Sequence, residues 1–152
     1  MINEEEDMMM LEEFIKTFKG SLDPRLWIRL IKEEADELEE ALNSKHREEV
    51  LKELADLMYV SVGLRVLIGD DLPTELMQKE EIEEVTNLFE RVCTLLESME
   101  EMFEEDAIDE ACRRVHKSNM SKLGDDGKPI FREDGKVLKG PNYKKPDLSD
   151  LI

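Results

Sequence analysis

Aromatic residues make up only 5% of the 152 positions, and β-branched runs are scarce. Such a chain has little of what half-buried strands pack with, and its abundant Leu, Met, Glu and Lys favour helices. There are only two cysteines, Cys93 and Cys112, each among apolar neighbours in a helical pattern. They read as buried free thiols of a reducing compartment, which points to the cytoplasm. No apolar run approaches the ~20 residues that span a bilayer. The acidic start, Met1 to Asp7, lacks the basic-then-apolar order of a signal peptide. Basic residues number 21 against 39 acidic ones, for a formal net charge of −18. So negative a surface is a poor general binder of nucleic acid or anionic membrane. A single phosphate-bearing small molecule remains compatible with it if a cation sits between the two.

What is present is helical periodicity in one domain, 1–152, large enough for a genuine core. After a loose start over 1–9, apolar residues at Met10, Leu11, Phe14, Ile15 and Phe18 predict a first helix ended by Gly20. Asp23-Pro24 opens a second helix, as N-cap and first-turn residue, that runs to about Leu42. Asn43 to His46 forms a short turn, and Ser44 is placed to cap a third helix ending at Gly69. Thr74 is the expected cap of a fourth helix, whose stripe includes Val85, Val92 and Met99. Asp106 is the expected cap of a fifth, ended by Gly124. Beyond it lie turn signals, with Ile130-Phe131 and Val137-Leu138 flanking Asp134-Gly135 as a small β-hairpin or ordered loop. The expected fold is therefore an all-α bundle of about five helices with a short C-terminal loop or hairpin tail.

Four acids stand out by position. Glu34 and Glu37 on the second helix, and Glu53 and Asp56 on the third, are each spaced to share one helix face. In an antiparallel pair facing residues have a constant index sum. Glu34 with Asp56 and Glu37 with Glu53 give the same sum, and it centres on the Asn43–His46 turn. The same seam holds Trp27, Leu30 and Ala41 on one helix and Val60, Gly63 and Leu67 on the other. Facing carboxylates at ~5 Å repel by about 3 kcal/mol per pair at an effective dielectric near 20, and burial adds to the cost. Protonation or a cation relieves this, and oxygen-only ligands with room for water suit Mg²⁺ or Mn²⁺. A solvated acidic face accounts equally well for any one pair, since residues 33–40 are acidic almost all round; Glu80 and Glu83 share the spacing by chance.

The stretch Glu33-Glu34-Ala35-Asp36-Glu37-Leu38, followed by Glu53-Leu54-Ala55-Asp56-Leu57-Met58-Tyr59, resembles the all-α NTP pyrophosphohydrolase superfamily. This group includes MazG-like proteins, dimeric dUTPases and phosphoribosyl-ATP pyrophosphohydrolases. A second stretch, Val115-His116-Lys117-Ser118-Asn119-Met120-Ser121-Lys122-Leu123 with the glycine-punctuated tail to Pro146, is similar to the C-terminal segment of a subgroup of it. Residues 71–105 fall outside the resemblance and read as an inserted helix.

The resemblance implies a Mg²⁺-dependent hydrolase, with Mn²⁺ as a possible substitute, that converts a nucleoside triphosphate to its monophosphate and pyrophosphate. It implies Glu34, Glu37, Glu53 and Asp56 as metal ligands and Glu33 as the group that orients or deprotonates water. Asn119, Lys122 and Lys139 would hold phosphate, with 124–152 as a phosphate-binding tail; Tyr59 would meet sugar or base. Trp27 would stack on the base or simply pack. From His116 to Lys145 there are eight basic residues against four acidic ones, a local cationic segment in an acidic chain. The chain is expected to bind a nucleoside triphosphate and to assemble as a homodimer or dimer of dimers. The assembly is expected because Ile28, Ile31, Leu54, Met58, Val62 and Val66 flank the acid seam. Phosphoribosyl-ATP hydrolysis and a non-catalytic acidic interaction protein are the alternative readings.

Overall fold

The computed structural model describes residues 3–152. Five helices follow in order: α1 (Glu4–Phe18), α2 (Pro24–Ser44), α3 (Arg47–Ile68), α4 (Lys79–Glu100) and α5 (Glu105–Met120). A short 3₁₀ turn, Thr74–Leu76, precedes α4, and β1 (Ile130–Phe131) pairs antiparallel with β2 (Val137–Leu138) in the tail. The all-α expectation holds, hairpin included.

Most boundary differences come from capping. The side chain of Asn3 accepts a hydrogen bond from the backbone N–H of Glu6 at 3.3 Å, and four first-turn acids favour the positive end of the helix dipole. Helix α1 therefore starts at Glu4 rather than near Met10; Met1 and Ile2 lie outside the described residues. Ser44 does not cap α3. Its hydroxyl donates back to the Ala41 carbonyl at 2.7 Å, which keeps it on the last turn of α2, and His46 takes the cap position. Thr74 opens only the 3₁₀ turn. Helix α4 starts later because Gln78 and Glu81 form a reciprocal capping box. Helix α5 starts at Glu105, one residue before its expected cap Asp106, and ends at Met120, before Gly124.

The α2–α3 hairpin is the spine. Helices α1 and α5 pack on α3, and α4 touches α2. The core gathers Leu11 and Phe18 from α1, Leu38 from α2, Leu51, Leu54 and Leu57 from α3, and Ala111 and Val115 from α5. The tail belongs to this core as well. Leu148 is fully buried, and its N–H donates to Glu48 Oε1 at 3.2 Å. Arg114 of α5 donates to the Asp147 carbonyl at 2.9 Å and pairs with Asp150. A bundle ending near Leu123 would leave this part of the interior uncovered.

Two local expectations are corrected. Cys112 is buried, but Cys93 is exposed, because it sits beside the buried stripe Val85–Val92–Met99 on the solvent side of α4. Of the apolar residues expected to await a partner, Ile31 and Leu54 are buried within the single chain; Ile28, Met58, Val62 and Val66 are half-buried against its core.

Candidate active site

The acidic segment 33–40 is sorted by the helix into separate jobs. Ala35 and Leu38 face the core. Asp36 and Glu39 point to α4, where Arg91 donates to each at 2.7 Å. Glu34 and Glu37 turn toward α3. Glu33 reaches the tail hairpin, where Arg132 and Lys136 each donate to it at 2.8 Å. Helix α4 thus neutralises the outer acids of α2 and leaves the inner ones to other partners.

On the inner face, carboxylate oxygens of Glu34, Glu37 and Glu53 all lie within 4.8 Å of one another. Asp56 sits beside them; its charge, after burial, is the largest influence raising the Glu34 carboxyl. Burial and the neighbouring acids push both Glu34 and Glu53 above the ordinary carboxylate range. One oxygen on each, Glu34 Oε2 and Glu53 Oε2, is buried without a hydrogen-bond partner. Such orphaned oxygens are costly unless a cation or proton meets them. The donor set is all oxygen, so the residues fit a hard divalent ion.

Lys52 enters this cluster from the same helix, with its ammonium 3.0 Å from Glu53 Oε1 and 3.0 Å from Asp56 Oδ2. Nothing in the spacing of the acids pointed to it, because it precedes Glu53 directly.

A cavity of about 440 Å³ opens over the cluster. Glu34, Glu37, Lys52 and Asp56 line it together with Lys122, Lys136 and Lys139. Apolar residues, Phe14, Leu26, Leu30 and Val60 among them, complete the lining. Lys122 is deeply set, and burial lowers its ammonium below the usual lysine range. Lys139 rests its ammonium 4.8 Å from the centre of the Tyr143 ring.

The tail reaches the cavity through the two serines of the Ser118-Asn119-Met120-Ser121 stretch. Ser118 Oγ donates to the Lys144 carbonyl at 2.6 Å, and Ser121 Oγ accepts from the Lys144 N–H at 2.9 Å. Gly140 makes the crossing possible. A Cβ there would lie 2.6 Å from the Leu123 carbonyl oxygen, too close for any larger residue. The serines, missed in the sequence, fix the path on which Lys136 and Lys139 are carried.

Tyr59, Asn119 and Trp27 also line the cavity. The Tyr59 hydroxyl is 2.8 Å from His116 Nδ1, and burial pushes it well above the usual tyrosine range. Trp27 Nε1 donates to the Ser21 carbonyl at 3.1 Å, and its ring is only 5% exposed, so packing holds it. Glu53 lies below the lining, and Glu33 outside it. With both oxygens engaged by cations, Glu33 is held below the ordinary carboxylate range against the opposing effect of partial burial.

The comparisons bear on this geometry. Residues 12–74 match the family model described as phosphoribosyl-ATP pyrophosphohydrolase. The matched segment runs from the second half of α1 through α2 and α3 and carries all four acids; the matching family lies within the all-α NTP pyrophosphohydrolase superfamily. No curated protein and no solved structure matches the chain. The matched segment thus contains the acids and Lys52, while Asn119, Lys122, Lys136 and Lys139 come from beyond it.

Proposed function

We propose that the chain is a Mg²⁺-dependent nucleoside triphosphate pyrophosphohydrolase, converting (d)NTP and water to (d)NMP and pyrophosphate in control of the nucleotide pool. The observation that carries this reading is one cavity lined by both a carboxylate cluster and three lysines besides Lys52. A non-catalytic acidic protein has no need of that arrangement.

Glu34, Glu37, Glu53 and Asp56 would hold the ion, with Mn²⁺ a possible substitute. A bound ion would supply Lewis acidity toward a phosphate and lower the pKa of water. The remaining work falls to the chain. Lys122, Lys136 and Lys139 line the same cavity and would neutralise phosphate charge away from the metal. Asn119 offers an amide to a phosphate oxygen or the sugar. Tyr59 stands among the apolar residues that suit a sugar and base. Glu33 fits the task of anchoring the hairpin better than that of accepting a proton, because each of its oxygens is held by a cation, Arg132 on one and Lys136 on the other, which makes it a weaker base. Residues 124–152 act as the phosphate-binding tail, and 71–105 as a brace on α2 within a single domain.

Phosphoribosyl-ATP is the second reading, favoured by the description of the matched family. A screen of all NTPs and dNTPs, dUTP included, together with phosphoribosyl-ATP, separates the two. The first reading predicts pyrophosphate release from at least one ordinary nucleotide, and exclusive turnover of phosphoribosyl-ATP favours the second. Assembly as a homodimer or dimer of dimers would use the half-buried Leu88, Phe89, Leu95 and Leu96 of α4. Light scattering that returns a monomer at micromolar concentration refutes it.

A further inference from the structure

The seat between Glu53 and Asp56 is already taken by a cation, the ammonium of Lys52. It touches one oxygen of each acid at 3.0 Å, and its side chain is only 19% exposed. The acids are spaced for a divalent ion, yet two of the four spend an oxygen on this lysine. Meanwhile Glu34 Oε2 and Glu53 Oε2 stay buried and unpartnered. Lys52 therefore neutralises only part of the cluster.

We propose that Lys52 is a tethered counter-cation that competes with the metal and is displaced when the metal engages Asp56. This rests on the reading of the four acids as the metal site. In the metal-free protein Lys52 keeps the Glu53–Asp56 pair from repelling itself apart. A divalent ion drawn in by Asp56 as well as Glu34, Glu37 and Glu53 comes close to the ammonium on Glu53 Oε1 and Asp56 Oδ2, and repulsion between the two cations favours the withdrawal of Lys52. The ammonium has somewhere to go. Lys52 lines the cavity, as do Lys122, Lys136 and Lys139. Displaced, it becomes a fourth ammonium facing the same space, which suits the anionic end of a polyphosphate. Metal loading and phosphate binding are thereby coupled: an anion in the cavity rewards the displaced lysine, so each ligand strengthens the other. Lys52 is in this account a positioning residue that sets how readily the site loads.

The test is Mn²⁺ affinity, by calorimetric titration of the full chain without nucleotide, in wild type, Lys52→Met and Lys52→Gln. Removing the competing charge should tighten Mn²⁺ binding at least tenfold in whichever variants fold. A lysine with only a structural role would leave affinity unchanged or weaken it, and either result overturns the proposal. A second measurement needs no variant: the ¹H–¹⁵N resonance of the Lys52 ammonium should shift or vanish as Mg²⁺ saturates the wild-type protein. A resonance untouched by saturating Mg²⁺ overturns the proposal. If neither wild type nor variants bind Mn²⁺, the metal reading fails, and the proposal with it. Equal binding by all of them sinks the proposal alone.

Discussion

The ring of Trp27 on α2 occupies the space where a side chain at Gly63 on α3 would begin. A Cβ built at Gly63 overlaps Cζ3 and Cε3 of the indole and lies 2.8 Å from Cη2. The two residues obey the same index sum as the acid pairs, so this contact and the carboxylate cluster share one helix register. The indole is pinned by its hydrogen bond to Ser21, which leaves it little freedom to retreat.

Gly63→Ala should therefore destabilise the protein although alanine is the better helix former. Propensity returns about 1 kcal/mol, while overpacking a filled interior costs roughly 1–3 kcal/mol and sometimes more. Thermal unfolding should show a net loss. A Tm equal to or above wild type would mean the indole moves freely.

This register is also why so much could be read from sequence alone. The mirrored acids, the turn between them and Gly63 on the seam are all consequences of helical period and an antiparallel hairpin. The matched segment, 12–74, covers that same readable region. What escaped was set by contacts distant in sequence. Arg91 meets Asp36 and Glu39 across more than fifty residues, and Arg132 meets Glu33 across 99. Leu148 is buried by a tail whose turn residues announce bends but not where the chain returns. Cys93 was misplaced because one residue's shift around α4 carries a side chain from core to solvent.

Removing one metal ligand should separate function from folding. Glu37→Gln or Asp56→Asn should abolish pyrophosphate release while the far-UV circular dichroism stays helical. Without metal Glu37→Gln should raise Tm or leave it unchanged, since it relieves repulsion, whereas Asp56→Asn also gives up the Lys52 ion pair. Glu80→Gln, with the same spacing but an exposed position on α4, should change little. Full activity in Glu37→Gln would remove the carboxylates from the mechanism.

Metal-free stability should fall as pH rises. Burial, with Asp56 and Glu37, raises the folded-state Glu34 carboxyl from 4.5 to about 8. Between those values the folded protein holds a proton that the unfolded chain has lost, so raising pH favours unfolding. The stabilisation is fully present below 4.5 and fades toward 8. Asp7, raised to about 6 by burial and Asp109, acts with the same sign but sits between α1 and α5. Glu53, raised to about 7 chiefly by burial, acts likewise, and Mg²⁺ should cancel the Glu34 and Glu53 parts while leaving that of Asp7. Tm measured from pH 5 to 8 should slope downward without Mg²⁺ and flatten with it; identical slopes would detach Glu34 from any metal.

The tail should matter to both catalysis and folding, for different residues. Lys139→Ala removes a charge-assisted phosphate contact worth roughly 1.5–3 kcal/mol, and should cost about 10–100-fold in kcat/KM. Leu148→Ala empties a fully buried site and should cost about 2–5 kcal/mol of stability. Deleting 124–152 should combine the two effects. Lys144→Ala, an exposed side chain, is the control. Wild-type kcat/KM in Lys139→Ala would send the search for phosphate ligands back to the helices.

The most direct test is the identity of the phosphate product. The purified chain is incubated with a nucleoside triphosphate mixture, with and without Mg²⁺, and the products are resolved by ³¹P NMR. The account predicts pyrophosphate and a monophosphate in equal amounts, only with the metal present. Orthophosphate with a diphosphate, or turnover indifferent to Mg²⁺ and chelator, would contradict it.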